Sequence, residues 1–228
     1  MITYFSFGQE EKMTDNQLQA KLNIINGASS ECVMHYFYTK SGWNQVEGEV
    51  GRNGIDGLYY KKKNGAIKEV LVSESKWNTA RLGKSGKNKL VKQMSQEWVL
   101  RTLGRLQKYK PIPEYQIILK LVQNDQYRAR LFKLLPIDDN KIQIIIYKVK
   151  NKGLKNFDLF IESTLRPITI SEPENSFEKG IIVDYNECRA KALVKYIPVL
   201  NKESIELLLH DNYLQPYDLR KVFKKSHL

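Results

Sequence analysis

The sequence predicts an α/β protein, with a mixed β-sheet flanked by helices and a small C-terminal helical extension. Three observations carry this prediction. Apolar residues recur at three- and four-residue spacing in residues 15 to 40 and again after residue 90. Short β-prone runs fill residues 43 to 76 and 129 to 149, and helical texture returns after Pro167. With 228 residues, 42% of them hydrophobic, the chain is long enough to bury a core. No apolar run approaches the roughly 18 residues of a spanning helix. Met1 to Gly8 lacks the basic and long apolar segments of a signal peptide. A cytoplasmic protein with no membrane partner is therefore expected.

The first helix is expected from Leu18, Leu22 and Ile25, with a break at Asn26-Gly27-Ala28-Ser29-Ser30. A second helix is then expected from Glu31 to Ser41-Gly42, carrying Cys32, Val33, Tyr36 and Phe37. From Trp43 the period changes to that of a three-strand meander: Val46 and Val50, Ile55 to Tyr60, and Ile67 to Val72, with Asn64-Gly65 as a hairpin signal. A Gly/Lys/Asn-rich connector, Gly83 to Lys89, leads to a helix over Val91, Met94, Trp98, Val99, Leu103 and Leu106, closed by Pro111 and Pro113. Met94 and Trp98 are read as core. Tyr115 to Val122, Ala129 to Leu135 and Lys141 to Val149 read as strands. Helices are expected at Asn186 to Tyr196, Glu203 to His210 and Pro216 to Lys225. The last two read as a packing hairpin, since Ile205, Leu208, Leu209, Leu219 and Val222 need burial. Cys32 and Cys188 lie far apart without a CxxC partner, so reduced thiols are expected.

The net charge of +12 is unevenly spread. Residues 51 to 110 hold fifteen bases and four acids, whereas residues 1 to 50 hold three bases and six acids. A concentration of this kind attracts a polyanion, most often the phosphate backbone of nucleic acid.

Within the basic block, Asp56 precedes a hairpin that ends in Glu74-Ser75-Lys76. Residues two apart on a strand share a face, so Glu74 and Lys76 project together while Ser75 turns away. A two-residue turn would place Asp56 opposite Ser73. A three-residue bulged turn, or a bulge elsewhere in the hairpin, would place it opposite Glu74, with Gly54 facing Lys76; the bulged turn is expected. Asp56, Glu74 and the Ser75 carbonyl then form a site for a hard cation, Mg²⁺ or Mn²⁺, and Lys76 serves the attacking water or the transition-state charge. Hydrolysis of a phosphodiester follows from that chemistry. The bland alternative is an exposed ion pair at a strand end.

The stretch GxxGID, the ExK triplet and a following helix with KQMSQEW resemble the PD-(D/E)XK, or restriction-endonuclease-like, nuclease superfamily. They are especially similar to nuclease domains of bacterial polymorphic and contact-dependent inhibition toxins. The resemblance covers about residues 28 to 150, and Ile55 stands where the motif name has proline. It implies a nuclease core over residues 1–165 and a helical extension over 166–228. It implies metal binding by Asp56 and Glu74, catalysis by Lys76, a further metal ligand in Glu31 and a supporting role for Gln93. DNA is the expected substrate, with RNA, including transfer RNA, as the alternative; a non-catalytic nucleic-acid-binding module is the competing class. An immunity or inhibitor protein is a further partner the resemblance implies.

Arg81, Lys84, Lys87, Lys89 and Lys92 are expected to contact phosphates without reading sequence. Trp77 is expected to pack beneath the connector, and His35 to be a boundary residue one turn after Glu31.

Overall fold

The structure, a computed structural model, describes residues 15–48, 54–85, 91–138, 140–152 and 156–196. Its sheet is organised around one hairpin. Strands β2 (Gly57–Lys63) and β3 (Ala66–Trp77) are joined by Asn64 and Gly65, both in left-handed backbone at φ 53° and 76°. A two-residue turn of this kind matches the twist of its flanking strands. It replaces the expected three-residue loop. A bulge between Lys61 and Lys62 makes the one-residue correction instead, so that Lys61 pairs with Glu69 and Gly57 with Ser73.

β1 (Asn44–Val46) adds to the outer edge of β2. On its other side β3 pairs in parallel with β6 (Arg128–Asp138). A parallel pair needs a crossover, and α2 (Gln96–Tyr109) and α3 (Pro113–Gln123) supply it. β7 (Lys141–Lys152) and β8 (Asn156–Thr164) continue antiparallel, and β9 (Ile168–Thr169) pairs with β7. The sheet is seven-stranded, mixed and open, in the order β1-β2-β3-β6-β7-β8 with β9 off the path. A separate two-stranded ribbon, β4 (Lys84–Ser85) and β5 (Val91–Lys92), lies between β3 and α2.

Helices cover both faces, and strand alternation divides the core between them. Leu58, Val70, Val72 and Leu131 pack against Trp98, Val99 and Leu103 of α2 and Ile118 and Val122 of α3. Tyr59, Leu71, Phe132 and Ile144 pack against Val33, Met34 and Tyr38 of α1 (Asp15–Lys40) and Ile181, Ile182 and Tyr185 of α4 (Ser176–Tyr196). α4 thus shares a hydrophobic cluster with the sheet. Among the described residues, no helix is long and apolar enough to cross a membrane.

Several elements differ from their sequence reading. α1 runs unbroken through Gly27, because the hydroxyl of Ser29 donates to the Ile25 carbonyl within the helix rather than capping a new one. The helix expected from Val91 starts at Gln96, where the Ser95 hydroxyl accepts from the Trp98 N–H; the residues before it form β5 and a turn. Tyr115 to Val122 is helical. Its near-continuous apolar run suits either structure, and Pro113 in the first turn starts a helix. α4 begins at Ser176, ten residues earlier than expected, and β8 lies in a segment that had no assigned element. The expected helices at 203–210 and 216–225 lie outside the described residues.

Cys32 and Cys188 are joined in a disulfide linking α1 to α4, which corrects the expectation of reduced thiols. Their sequence separation of 156 residues gave no local sign of proximity.

Next to Cys188, Arg189 is fully buried. Its guanidinium lies over the rings of Trp77 and Tyr185 and donates to the Asn26 side chain, while Nε and Nη2 find no partner among the described residues. Burial holds it below its usual pKa range. A desolvated charge with unmade hydrogen bonds opposes folding, and an apolar group of similar length removes that cost. Arg189→Met is accordingly expected to raise stability by about 1–2 kcal/mol. A lower urea midpoint for the variant, followed by tryptophan fluorescence, would contradict this.

Candidate active site

The end of β3 brings together the residues that the hairpin register predicts. Asp56 stands one residue before β2, and Gly57 after it lies close against Tyr59 and Met34. A Cβ there would lie 2.6 Å from Tyr59 Cε2 and 2.9 Å from Met34 Cε of α1. Asp56 Oδ2 accepts from the Ser75 N–H at 2.9 Å, and the Asp56 N–H points at Glu74 Oε1 at 3.4 Å. Within a strand, N–H and C=O of one residue leave on the same side, so the Ser75 carbonyl opens toward Asp56. The Ser75 hydroxyl turns the other way and meets the Ser30 hydroxyl of α1 at 2.7 Å.

Lys76 lies between the two acids. Its Nζ is 3.2 Å from Glu74 Oε2 and 3.9 Å from Asp56 Oδ2, and its side chain is 17% exposed. An exposed strand-end ion pair would look different: Glu74 has no exposed surface, and Leu131 on the neighbouring strand is buried beside it. Burial and then repulsion from Asp56 push the Glu74 carboxyl well above its ordinary range, with Lys76 offsetting part. Asp56 is also raised, chiefly by burial, with Lys76 again opposing. A fully buried carboxyl and a partly buried one, with one ammonium between them, leave a negative charge poorly compensated. Such a pair favours uptake of a proton, or of a cation in its place.

Gln93 fixes the orientation of Glu74. Its Nε2 donates to Glu74 Oε2 at 2.5 Å, and its Oε1 accepts from the Gly83 N–H at 3.1 Å. One amide thus clamps the connector to the acid. Gln93 does this from the turn after β5 and not from a helix face, as its sequence reading held. Met94, fully buried in left-handed backbone at φ 71°, redirects the chain into α2 immediately afterwards.

Glu31 approaches from α1 and is paired with His35. Its carboxylate lies 3.5 Å from His35 Nε2, and His35 Nδ1 lies 2.6 Å from the Tyr59 hydroxyl. The Glu31 charge still reaches Asp56, as the smallest of the influences on it. His35 is therefore a bridge from α1 to β2. Among the described residues, no three His, Cys, Asp or Glu side chains are placed to hold a metal ion. A carboxylate pair nevertheless suits Mg²⁺, which is commonly held by one or two carboxylates plus waters and substrate phosphates. Asp56, Glu74 and the Ser75 carbonyl supply hard oxygen donors of that kind.

Arg81 and Lys84 are exposed on the connector, and Lys92 is half-buried on β5; Gln93 ties this ribbon to Glu74. Lys87 and Lys89 lie outside the described residues. Trp77 packs with the α1–α4 core beneath Arg189, not beneath the connector as expected, because odd-numbered positions of β3 face α1 and α4.

No protein-family model matches the chain, and comparison with curated proteins and with solved structures returns no significant match.

Proposed function

We propose that this chain is a metal-dependent nuclease of the PD-(D/E)XK type that hydrolyses phosphodiester bonds, with DNA as the expected substrate and RNA as the alternative. The observation that carries this reading is the convergence of Asp56, Glu74 and Lys76 on one side of β3, beside the most basic segment of the chain. Asp56, Glu74 and the Ser75 carbonyl would hold Mg²⁺, which would supply Lewis acidity toward the phosphodiester. Lys76 presents its ammonium to a phosphoryl oxygen and to the attacking water, stabilising charge as it develops. Gln93 keeps the Glu74 oxygens aimed. The water oxygen bonds to phosphorus, the bond to the leaving ribose or deoxyribose oxygen breaks, and a proton returns to that oxygen.

The test is incubation of the protein with plasmid DNA and with total RNA, in Mg²⁺, Mn²⁺ or EDTA, beside Asp56→Asn. Cleavage that needs the ion and drops on the order of 10²–10³-fold in the variant is expected. Binding without ion-dependent cleavage would assign the chain to the non-catalytic class instead.

A further inference from the structure

The parallel pairing of β3 and β6 places Lys133 beside Lys76. Aligned residues of neighbouring strands point to the same face, about 4.8 Å apart. Lys133 therefore stands on the side of the sheet that carries Glu74 and Lys76. It is half-exposed, and among the described residues it has no acidic partner, whereas Lys76 is held by two. Like charges on neighbouring strands repel, and with both acids engaged by Lys76 the Lys133 ammonium is the one left to meet an anion from solution. The next position in the row, Ile145 on β7, is apolar, so the cationic track ends at Lys133.

From this juxtaposition we infer that Lys133 binds the phosphate on one flank of the scissile phosphodiester. The inference rests on the nuclease reading above and deepens it. Lys84 and its ribbon border the acids through Gln93, and Lys133 lies on the neighbouring strand past Lys76, so phosphates on both flanks of the cut meet cations. The substrate class is thus a bond inside a polynucleotide, not an isolated phosphodiester. Lys133 sets affinity for the chain, and Lys76 serves the reacting group.

Three proteins decide it: wild type, Lys133→Gln, and Lys179→Gln as a control on α4, which packs on the opposite face. With an oligonucleotide and Mg²⁺, Lys133→Gln is expected to raise KM about 5–10-fold, to leave kcat within about twofold, and to reduce the salt slope of binding by about one. With bis(p-nitrophenyl) phosphate, a diester without flanking phosphates, it is expected to match wild type, which also shows that it is folded. Oligonucleotide anisotropy in EDTA reads the same contact without turnover, with DNA and RNA compared at equal salt. If wild type cleaves oligonucleotides and Lys133→Gln behaves like Lys179→Gln, this inference fails and the nuclease reading stands. If wild type binds without cleaving, the nuclease reading fails and the EDTA salt slope still decides Lys133. Absence of any nucleic-acid binding overturns both.

Discussion

Glu74→Gln is expected to abolish ion-dependent cleavage while making the metal-free protein more stable. Glu74 is buried without exposed surface, and burial together with Asp56 raises its folded-state pKa well above the unfolded value. The native state therefore holds more protons than the unfolded state once pH passes the ordinary carboxyl range near 4.5. Stability then falls as pH rises from there through the folded pKa. Glutamine keeps the shape and an acceptor for Gln93 and Lys76 but removes the titration. Thermal melts in EDTA at neutral pH are expected to rise by about 2–5 °C, with a flatter pH dependence, and activity to fall on the order of 10³-fold. Ion binding shows the opposite pH trend. Mg²⁺ must displace the retained proton, so its stabilisation of wild type strengthens with pH and is absent from the variant. A variant less stable than wild type at neutral pH would mean that Glu74 is a structural ion-pair partner, and the catalytic reading would lose its main support.

The reason this site was legible in the sequence is that its geometry is local. Strand alternation puts Glu74 and Lys76 on one face, and only the hairpin register had to be settled for Asp56. The alternative of a bulge elsewhere in the hairpin is the one observed, at Lys61/Lys62, and it yields the same one-residue offset as a longer turn. The role of Gln93 came from the resemblance, which placed it on a helix. Val91, Met94 and Trp98 mimic helical spacing although Met94 takes a left-handed backbone that ends that pattern. Periodicity records which residues are apolar, not where the chain turns.

What failed was non-local or ambiguous. The Tyr115 to Val122 run is apolar at nearly every position and fits a buried strand as well as α3. Lys133 beside Lys76 depends on a parallel pairing across two helices, for which neither strand carries a local signal. Glu31 came from the resemblance alone: on α1 it lies against His35, and its charge acts on Asp56.

The second large effect concerns the disulfide. Cys32 directly follows Glu31 on α1, and Cys188 directly precedes buried Arg189 on α4, so the cross-link fastens the helix pair that covers one face of the sheet. A link closing a loop with a sequence separation of 156 removes much unfolded-state freedom, worth about 4–5 kcal/mol in the chain-entropy account. Reduction, or the Cys32→Ser/Cys188→Ser double variant, is expected to lower the melting temperature by about 10–15 °C. The acids stand on the other face of β3 and contact neither cysteine, so cleavage below the new melting temperature is expected to stay within about threefold of wild type. Calorimetry with and without reductant checks the first number, and initial rates on the same samples check the second. Disulfides persist in oxidising compartments and are reduced by the thiol pools of the cytosol, so the expected cytoplasmic residence corresponds to the weaker of the two forms. An unchanged melting temperature in the double variant would show that packing of Val33, Met34, Ile181 and Tyr185 holds α1 to α4 without the covalent link.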